Sequence, residues 1–346
     1  MGSILNPKTG GEYYDNRLYQ SFRELNPSNI EVITDKSFSK NRLELSKELY
    51  RRINNSDKND ITIYNTAIFP YIIFALFRNS LSRNKKVVLG IHHHFRFKEQ
   101  SGFKRLIFYI LEKLCLKLST DIICPNPYII DGLKKIGCNK VTYIGHPFEH
   151  KVQSISNHEK FKFLYVGTVY ERKGLTYLID AINLLPDKLK KEIELNIVGE
   201  TSHTQYVDNL RTKINEYNLD STIFLRGRVS KDDLNKYYCN AYCFLFPSLY
   251  EGYGLVIEEA MSYGLPVIAF NNSAIPYTIH DKENGLLANN RDSLDFARKI
   301  ELAINDETLY EVMCKGALHS YSKSHSLTDF KKEINTLYTK LQKTYE

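Results

Sequence analysis

The sequence predicts an α/β protein made of two doubly wound domains in tandem. Its 346 residues exceed what one hydrophobic core usually supports, since domains typically hold about 150 residues. Short β-branched runs alternate with helical patterns, which indicates parallel sheets whose strands are joined by helices. The runs are almost continuously apolar, as expected when helices cover both faces of a sheet. The predicted strands are EVIT 31–34, ITIY 61–64, VVLGI 87–91, DIIC 121–124, VTYI 141–144, FKFLYV 161–166, ELNIV 194–198, TIFLRG 222–227, AYCFLF 241–246 and PVIAF 266–270.

A polar stretch at 152–160 interrupts this alternation and is the natural linker. We therefore expect a first domain over 1–152, a second over 153–325 and a final helix over 326–346. A first domain of this kind should open with a strand, yet only Ile4 and Leu5 precede the turn NPKTGG, so the first strand is expected to be short or absent. Two such sheets facing each other would frame one cleft, with ligands beyond the carboxyl ends of the strands.

The composition is that of an ordinary globular protein, with 42% hydrophobic and 25% charged residues. This balance excludes disorder and fibrous repeats. The longest apolar run, at 67–77, is too short to span a membrane and contains a proline. The start lacks the features of a secretory signal, which predicts a cytoplasmic protein with reduced cysteines. Cys239 and Cys243 form the only close cysteine pair, and without a second pair they indicate core thiols rather than a metal site.

The positive charge is concentrated in the first half of the chain. Residues 1–150 hold 23 Lys and Arg against 14 Asp and Glu, a balance of +9, whereas residues 151–346 hold 24 against 26, a balance of −2. The stretch 95–118 predicts an amphipathic basic helix, with apolar residues at Phe103, Ile107, Ile110, Leu111 and Leu114 beside Lys104, Arg105, Lys113 and Lys117. Either this helix packs on the sheet as an ordinary solvated element, or its surface meets an anionic membrane.

The most informative segment is PSLYEGYGLVIEEAMSYGLPVIAF at 247–270, which predicts a strand, loop, helix and strand in succession. Gly252 and Gly254 leave the backbone able to approach a ligand closely, and the helix that begins near Leu255 directs its free amides at the same loop. Such a loop favours an anion, for example a diphosphate. Glu251 and Glu259 would then accept hydrogen bonds from hydroxyl groups on either side of it.

These residues resemble the retaining glycosyltransferases of the GT-B fold, of the group 1 or family 4 type. The resemblance rests on the E-x7-E pattern of Glu251 and Glu259, on EGYGL at 251–255 and EAMSYGLPVIA at 259–269, and it extends through ENGLLANN at 283–290. It implies two Rossmann-like domains facing a central cleft, the first on the acceptor side and the second binding a nucleotide sugar. It also implies retaining transfer of a sugar from a nucleotide diphosphosugar to a hydroxyl.

In the second domain the resemblance extends to a strand-to-helix turn within 163–182. Lys173 matches the basic residue that meets the donor diphosphate in that family. Thr168 stands where the family commonly has arginine, and Arg172 would supply that charge. In SAIPY at 273–277, Tyr277 replaces a glutamate of many members. The segment 224–238 is similar to the strand and turn that hold the nucleobase, which makes Arg228 and Val229 candidates there.

In the first domain, the turn at 6–18 resembles the glycine turn that faces the diphosphate and the acceptor, and Gly10 and Gly11 match it. His92 follows a predicted strand, at the position where the family often has a cleft histidine. The triple histidine 92–94 also suggests zinc, but consecutive residues on extended chain point in alternating directions and do not easily bind one ion. A polar residue satisfied at the strand end is the other interpretation of His92.

The resemblance implies a division of roles. Lys173, with Arg172 and the helix N-terminus, would stabilise the leaving diphosphate without a metal or other cofactor. Glu251 would orient the sugar, Glu259 the ribose, and His92 would contact the sugar or assist proton movement. The implied catalytic residues are Glu251, Lys173 and His92, and the implied donor contacts are Gly11, Arg172, Lys173, Arg228, Glu251, Gly252, Tyr253, Gly254, Leu255 and Glu259.

The expected partners are a nucleotide-sugar donor and a glycan, lipid-linked glycan or other cell-envelope precursor as acceptor, with no nucleic acid. The basic first domain would place this cytoplasmic protein peripherally at the inner face of the cell membrane. A sugar-nucleotide epimerase, a phosphorylase and a non-catalytic sugar-nucleotide-binding subunit are the alternatives, because fold alone does not fix function. A dehydrogenase is disfavoured, since no G-x-G-x-x-G turn opens either domain.

Overall fold

The computed structural model describes residues 10–25, 30–33, 42–56, 60–148 and 159–345. The chain forms two units: Met1–Glu149 with His325–Glu346, called unit 1, and His150–Ser324, called unit 2. The sequence had placed the division at 152/153, a few residues later. The expected short first strand at Ile4 and Leu5, and the linker up to residue 158, lie outside the described residues.

Unit 1 contains a parallel sheet of five strands in the order β1-β2-β3-β4-β5. The strands are β1 (Ile30–Ile33), β2 (Ile61–Asn65), β3 (Val87–Ile91), β4 (Asp121–Cys124) and β5 (Val141–Tyr143), each within a residue of its predicted bounds. The described helices of this unit are α1 (Gly10–Leu25), α2 (Arg42–Asn55), α3 (Phe69–Leu81), α4 (Gly102–Leu118), α5 (Pro127–Lys135) and the C-terminal helix (Leu327–Tyr345).

Helices cover both faces of the first sheet, which explains why its strands are apolar at successive positions. Leu89 of β3 lies in a buried cluster with Tyr14 of α1 and Phe330 of the C-terminal helix. Val88, the preceding residue, lies in a separate cluster with Leu76 of α3. Successive side chains of a strand point to opposite faces, so both must be apolar here. The C-terminal helix thus completes the core of unit 1.

Unit 2 contains a parallel sheet of six strands in the order β11-β10-β9-β6-β7-β8. Its strands are β6 (Lys162–Val166), β7 (Glu194–Val198), β8 (Ile223–Gly227), β9 (Cys243–Phe246), β10 (Val267–Asn271) and β11 (Gly285–Asn289). Its described helices are α6 (Leu175–Asn183), α7 (Asp187–Glu192), α8 (Thr204–Glu216), α9 (Lys231–Asn240), α10 (Leu255–Ser262), α11 (Ser293–Asn305) and α12 (Glu307–Lys323). The sequence analysis predicted five of these strands and missed β11, which pairs with β10 at the edge of the sheet.

The described cysteines are free thiols, and four of them are fully buried. Burial raises the pKa of Cys115 to about 12, so this thiol stays protonated and behaves as a small apolar side chain. Within the described residues no group of His, Cys, Asp or Glu has the arrangement of a metal site. No described helix is long and apolar enough to cross a membrane.

Candidate functional site

In the second sheet, β6 and β9 are neighbours, and the strand order runs outward in opposite directions from them, through β7 and β8 on one side and through β10 and β11 on the other. Ligands of doubly wound sheets bind where the strand order reverses, beyond the carboxyl ends of the strands. The loops that leave these two strands, 167–174 and 247–254, therefore meet at the expected ligand position. They carry Lys173 and Glu251 respectively.

Backbone contacts hold the two loops together. Leu249 N donates to Arg172 O at 2.9 Å. Gly174 has a φ of +67°, and a Cβ built there would lie only 2.1 Å from the carbonyl oxygen of Pro247. Only glycine fits both the left-handed conformation and this close approach. The small residue after Lys173 is therefore what allows Lys173 to reach the neighbouring loop.

Glu251 is the centre of a nearly buried charge cluster. Its side chain is 9% exposed, and Lys173 Nζ lies 2.5 Å from Oε1, with Arg172 Nη1 3.6 Å from Oε2. Ser248 Oγ also donates to Oε1 at 2.6 Å. Burial raises the pKa of the Glu251 carboxyl, but the charges of Lys173 and Arg172 lower it by more, so Glu251 is a carboxylate at neutral pH.

The cluster has two cations for one carboxylate, and it lies beside a helix N-terminus. The helix α10 begins at Leu255, as the sequence predicted, and Gly254 before it has a φ of +90°. The loop after β10 also contributes, because Ser273 Oγ accepts a hydrogen bond from Glu251 N at 2.8 Å. Net positive charge and free helix amides together favour a bound anion such as a diphosphate.

Glu259 lies on α10 with an exposed side chain. Tyr238 OH donates to its Oε2 at 3.2 Å, and the Tyr238 ring stacks on Tyr263 with centroids 4.9 Å apart. Desolvation by the surrounding protein raises the pKa of Glu259, and the hydrogen bond from Tyr238 offsets this in part. The carboxyl group is therefore held in one orientation while remaining accessible to a ligand.

The position of Glu258, the residue before Glu259, differs from what its spacing on the helix predicts. Because successive helix residues point roughly 100° apart, residue spacing alone predicts that Glu258 faces away from Glu259 and the donor and tolerates alanine. The structure instead places it at 6% exposure, because α12 packs against α10 on that side. Tyr253 OH donates to Glu258 Oε1 at 2.7 Å, and burial raises the pKa of Glu258 from 4.5 to about 7. Tyr253, a predicted donor contact, is thus a neighbour of this buried carboxyl.

Arg228 follows a strand that is not next to the strands carrying the Lys173–Glu251 cluster. It follows β8, the outer strand of the sheet, and its guanidinium forms an ion pair with Glu200 at 2.7 Å. The side chain is 71% exposed. Tyr277, the residue that departs from the family pattern, is also exposed, at the end of a short 3-10 turn. Arg228 is thus paired with Glu200 rather than with Glu251, whereas Tyr277 follows Ala274, whose backbone N donates to Glu251 O at 3.4 Å.

In unit 1, His92 lies at the carboxyl end of β3 as predicted, but it is completely buried. Its Nδ1 is 2.8 Å from Thr66 Oγ1, and its ring packs edge-on against Phe95. Burial, with a smaller contribution from nearby positive charge, lowers the pKa of His92 to about 3. The imidazole is therefore neutral at physiological pH, and in this structure its ring does not reach the surface.

The imidazole of His93, which the sequence analysis did not single out, is partly accessible, with 17% of its side chain exposed. His93 Nε2 lies 2.7 Å from Asp15 Oδ1, and Asn65 Nδ2 donates to Asp15 Oδ2 at 2.9 Å. The expected turn over 6–18 is wrong from residue 10 onward, because α1 already begins at Gly10. A Cβ on Gly11 would lie 3.7 Å from His93 Nε2, so Gly11 faces the imidazole. Gly11 and Asp15 are four residues apart, and on a helix this spacing places them on the same face. This spacing was the signal in the sequence that could have indicated a shared site near His93.

Residues 148–319 match the family described as Glycosyl transferases group 1, and this range contains the whole Lys173–Glu251 cluster. A capsular polysaccharide biosynthesis glycosyltransferase, CapM of Staphylococcus aureus, is 26% identical, with 72% of this chain and 70% of the relative covered. A poly(ribitol-phosphate) alpha-N-acetylglucosaminyltransferase of S. aureus strain COL is 25% identical over 86% of this chain and 60% of the relative.

Solved structures show the same fold. The crystal structure of TarM of S. aureus superposes with a TM-score of 0.68 at 22% identity and covers 87% of this chain, which spans 59% of TarM. Anabaena HepE in complex with UDP-glucose superposes with a TM-score of 0.69 at 16% identity, covering 93% of this chain and 89% of HepE.

Proposed function

Because this chain is a group 1 glycosyltransferase with the GT-B fold, we propose that it transfers a sugar from a nucleotide diphosphosugar to a hydroxyl of a cell-envelope glycan or lipid-linked precursor. The reaction we propose retains the anomeric configuration and needs no metal. Relatives named for capsule and poly(ribitol phosphate) synthesis support the acceptor class. The HepE complex with UDP-glucose supports a nucleotide-sugar donor.

One observation carries the proposal: Lys173 and Arg172 converge on Glu251 beside the start of α10. When the bond between the anomeric carbon and the diphosphate oxygen breaks, negative charge develops on the leaving diphosphate. Fixed cations and helix amides stabilise that charge without reorganising. Because one carboxylate neutralises only one of the two cations, a net positive charge remains for the diphosphate. This is the task that a metal ion performs in other transferases.

Glu251 has two functions in the proposal. It holds the ammonium of Lys173 in place, and its carboxylate orients the donor sugar. The backbone of Gly252, Gly254 and Leu255 contacts the donor, and Tyr253 lines the same loop. Glu259 accepts hydrogen bonds from the ribose, away from the reacting carbon.

The residues outside this cluster have smaller proposed roles. Arg228 contacts the nucleobase after exchanging its ion pair with Glu200. In unit 1, the backbone of Gly11 contributes to ligand binding, and His92 supports that part of unit 1 as a neutral group. The proposed location is the cytoplasmic side of the cell membrane, where activated sugars and lipid-linked acceptors meet.

The test is a donor panel followed by a transfer assay. Thermal unfolding with UDP-glucose, UDP-N-acetylglucosamine and GDP-mannose identifies the donor, because a ligand of the folded state raises its stability. We then expect acceptor-dependent release of the nucleoside diphosphate that persists with EDTA, and a product with the anomeric configuration of the donor.

Other outcomes would contradict the proposal. Conversion of the donor to its epimer without acceptor would indicate an epimerase. Stabilisation by a donor without turnover on any envelope acceptor would indicate a binding subunit. Loss of turnover with EDTA, restored by a divalent ion, would contradict the metal-independent reaction alone.

A further inference from the structure

Two neighbouring helices of unit 1, α3 and α4, expose large apolar side chains to solvent. On α3 these are Phe74, Phe77 and Leu81, at i, i+3 and i+7, with exposures between 49% and 69%. On α4 they are Phe103, Leu106, Ile107, Ile110 and Leu114, with exposures between 40% and 75%. The helices pack against each other, with Phe69 and Phe108 rings 5.4 Å apart. We call these eight residues the apolar face.

The apolar face is unusual among the described residues of this protein. It accounts for eight of the fifteen large apolar side chains that are exposed there. Each set recurs at helical spacing, so the residues form one stripe on each helix rather than scattered exposures. Single exposed apolar residues are normal, but a grouped set on paired helices indicates an interaction surface.

The chain segment that contains this face has an excess of positive charge. Residues 61–120 contain ten Lys and Arg but only Glu99 and Glu112 as acids, a balance of +8 that exceeds the +7 of the whole chain. Glu112 is 2% exposed and accepts hydrogen bonds from the backbone N of Arg96 and Phe97, so it does not offset the surface charge. No carboxylate of α3 or α4 is therefore exposed.

The basic residues flank the apolar stripe itself. Lys113 and Lys117 follow Ile110 and Leu114 by three residues and so lie on the same side of α4. Lys104 is exposed in its first turn, and Arg78 is exposed on α3. Long basic side chains beside apolar ones can reach lipid phosphates while the apolar residues enter the acyl boundary.

We propose that the apolar face of α3 and α4 docks unit 1 on an anionic lipid bilayer. The occupant is a membrane interface rather than a second copy of the chain, because two copies joined by this face would bring their like charges together. The sequence pattern of α4 predicted one amphipathic helix, and the structure adds the three exposed apolar residues of α3. The inference is independent of the sugar-transfer reaction and can fail or hold separately from it.

The experiment measures flotation of the full chain with phosphatidylcholine vesicles, with and without phosphatidylglycerol, at low and high salt. The apolar variant is Phe103→Ser with Ile107→Ser, and the charge variant is Lys104→Gln with Lys117→Gln. We expect binding to anionic vesicles to fall at least about tenfold in the apolar variant. It should fall about fivefold per lysine in the charge variant, and only at low salt.

A matched control lies in unit 2, where Leu294 and Val312 are each 48% exposed. The variant Leu294→Ser with Val312→Ser removes the same kind of surface and should bind vesicles as the wild type does. All changes are at exposed positions, and thermal unfolding checks that each variant is folded. Equal binding of wild type to neutral and anionic vesicles at low salt would overturn the proposal. So would apolar and control variants that bind alike, or a dimer that the apolar variant dissociates without any vesicle binding.

Discussion

The Lys173–Glu251 ion pair combines a structural and a proposed catalytic function, and substitutions can separate the two. Both side chains are nearly buried, at 13% and 9% exposure. Breaking a buried pair leaves an uncompensated charge, although Arg172 remains 3.6 Å from Glu251. We therefore expect Lys173→Met to lower the free energy of unfolding by roughly 2–4 kcal/mol. Glu251→Gln should also destabilise the protein, since it leaves the lysine unpaired.

The double variant Lys173→Met with Glu251→Gln is the informative one. Two neutral side chains replace the pair, so denaturant unfolding should show most of the lost stability recovered. Turnover should nevertheless stay at least about 100-fold below wild type, because Arg172 remains but the leaving diphosphate has lost the ammonium of Lys173 and the sugar has lost its orienting carboxylate. Donor KM should change less than kcat. If activity returned together with stability, the pair would have only a structural function.

The buried carboxyl of Glu258 should make the free energy of unfolding depend on pH. Burial raises its pKa from 4.5 to about 7 in the folded protein. The folded state therefore binds a proton more tightly than the unfolded state between these values. Its contribution to stability is greatest below pH 4.5, falls as the pH rises to about 7, and stays low above that. The difference between the two limits is at most about 3 kcal/mol.

The variant Glu258→Gln is uncharged at every pH and keeps the shape of the side chain. We expect it to be more stable than the wild type at pH 8, by roughly 1–3 kcal/mol, and about equal to it at pH 5. Denaturant unfolding at the two pH values measures the difference. A variant equally destabilised at both would mean that the hydrogen bond from Tyr253, rather than the charge, dominates at this position. Glu258→Ala is unsuitable as a silent control for Glu259, because it would open a cavity.

At the scale of elements, the contact between the 167–174 and 247–254 loops depends on Gly174. Gly174 has a φ of +67° and Gly227 has a φ of +68°, so the two glycines have the same backbone conformation. They differ in their surroundings: a Cβ on Gly174 would lie 2.1 Å from Pro247 O, whereas a Cβ on Gly227 would have nothing within 4 Å. The two alanine variants therefore share backbone strain and differ in the steric clash.

We expect Gly227→Ala to cost about 1 kcal/mol of stability. Gly174→Ala should cost at least about 3 kcal/mol and should lower turnover, since the loops must separate and Lys173 moves from Glu251. Thermal unfolding and the transfer assay measure both effects. Similar losses in the two variants would show that the loops do not need this close approach.

The sequence predicted most elements because their signals are local. The apolar runs of both sheets and the start of α10 at Leu255 follow from β-branched composition and from glycine before a helix. The strand β11 was missed because GLLAN is short and bordered by asparagine, so its apolar content resembles a loop. Local patterns cannot show which element covers a helix face.

The site was predictable to a similar degree. The pattern of Glu251 and Lys173 indicated one site, and the structure brings the two residues within hydrogen-bonding distance. The burial of Glu258 depends on α12, and the partial accessibility of His93, in contrast to the full burial of His92, depends on the direction of the chain after β3. Both are consequences of tertiary packing, which residue spacing alone does not contain.

At the scale of the whole molecule, we propose different partners for the two units, a diphosphate for unit 2 and an anionic membrane for unit 1. The cation cluster that we propose binds the diphosphate lies in unit 2, whereas the basic side chains beside the apolar face lie on α3 and α4 of unit 1. A nucleoside diphosphate should therefore protect unit 2 first. Hydrogen exchange with and without the nucleoside diphosphate of the identified donor, at about 100-fold above Kd, measures this, and the folded state should gain about 2.7 kcal/mol. We expect the slowed amides to lie in the loops 167–174 and 247–254 and in the first turn of α10.

In the variant Arg172→Ala with Lys173→Met this protection should be lost, whereas Lys315→Ala, at a side chain 81% exposed on α12, should retain it. Protection confined to unit 1 would move the diphosphate site to the α1 and β3 region around Gly11 and His93, and would leave the Lys173–Glu251 cluster without its proposed ligand.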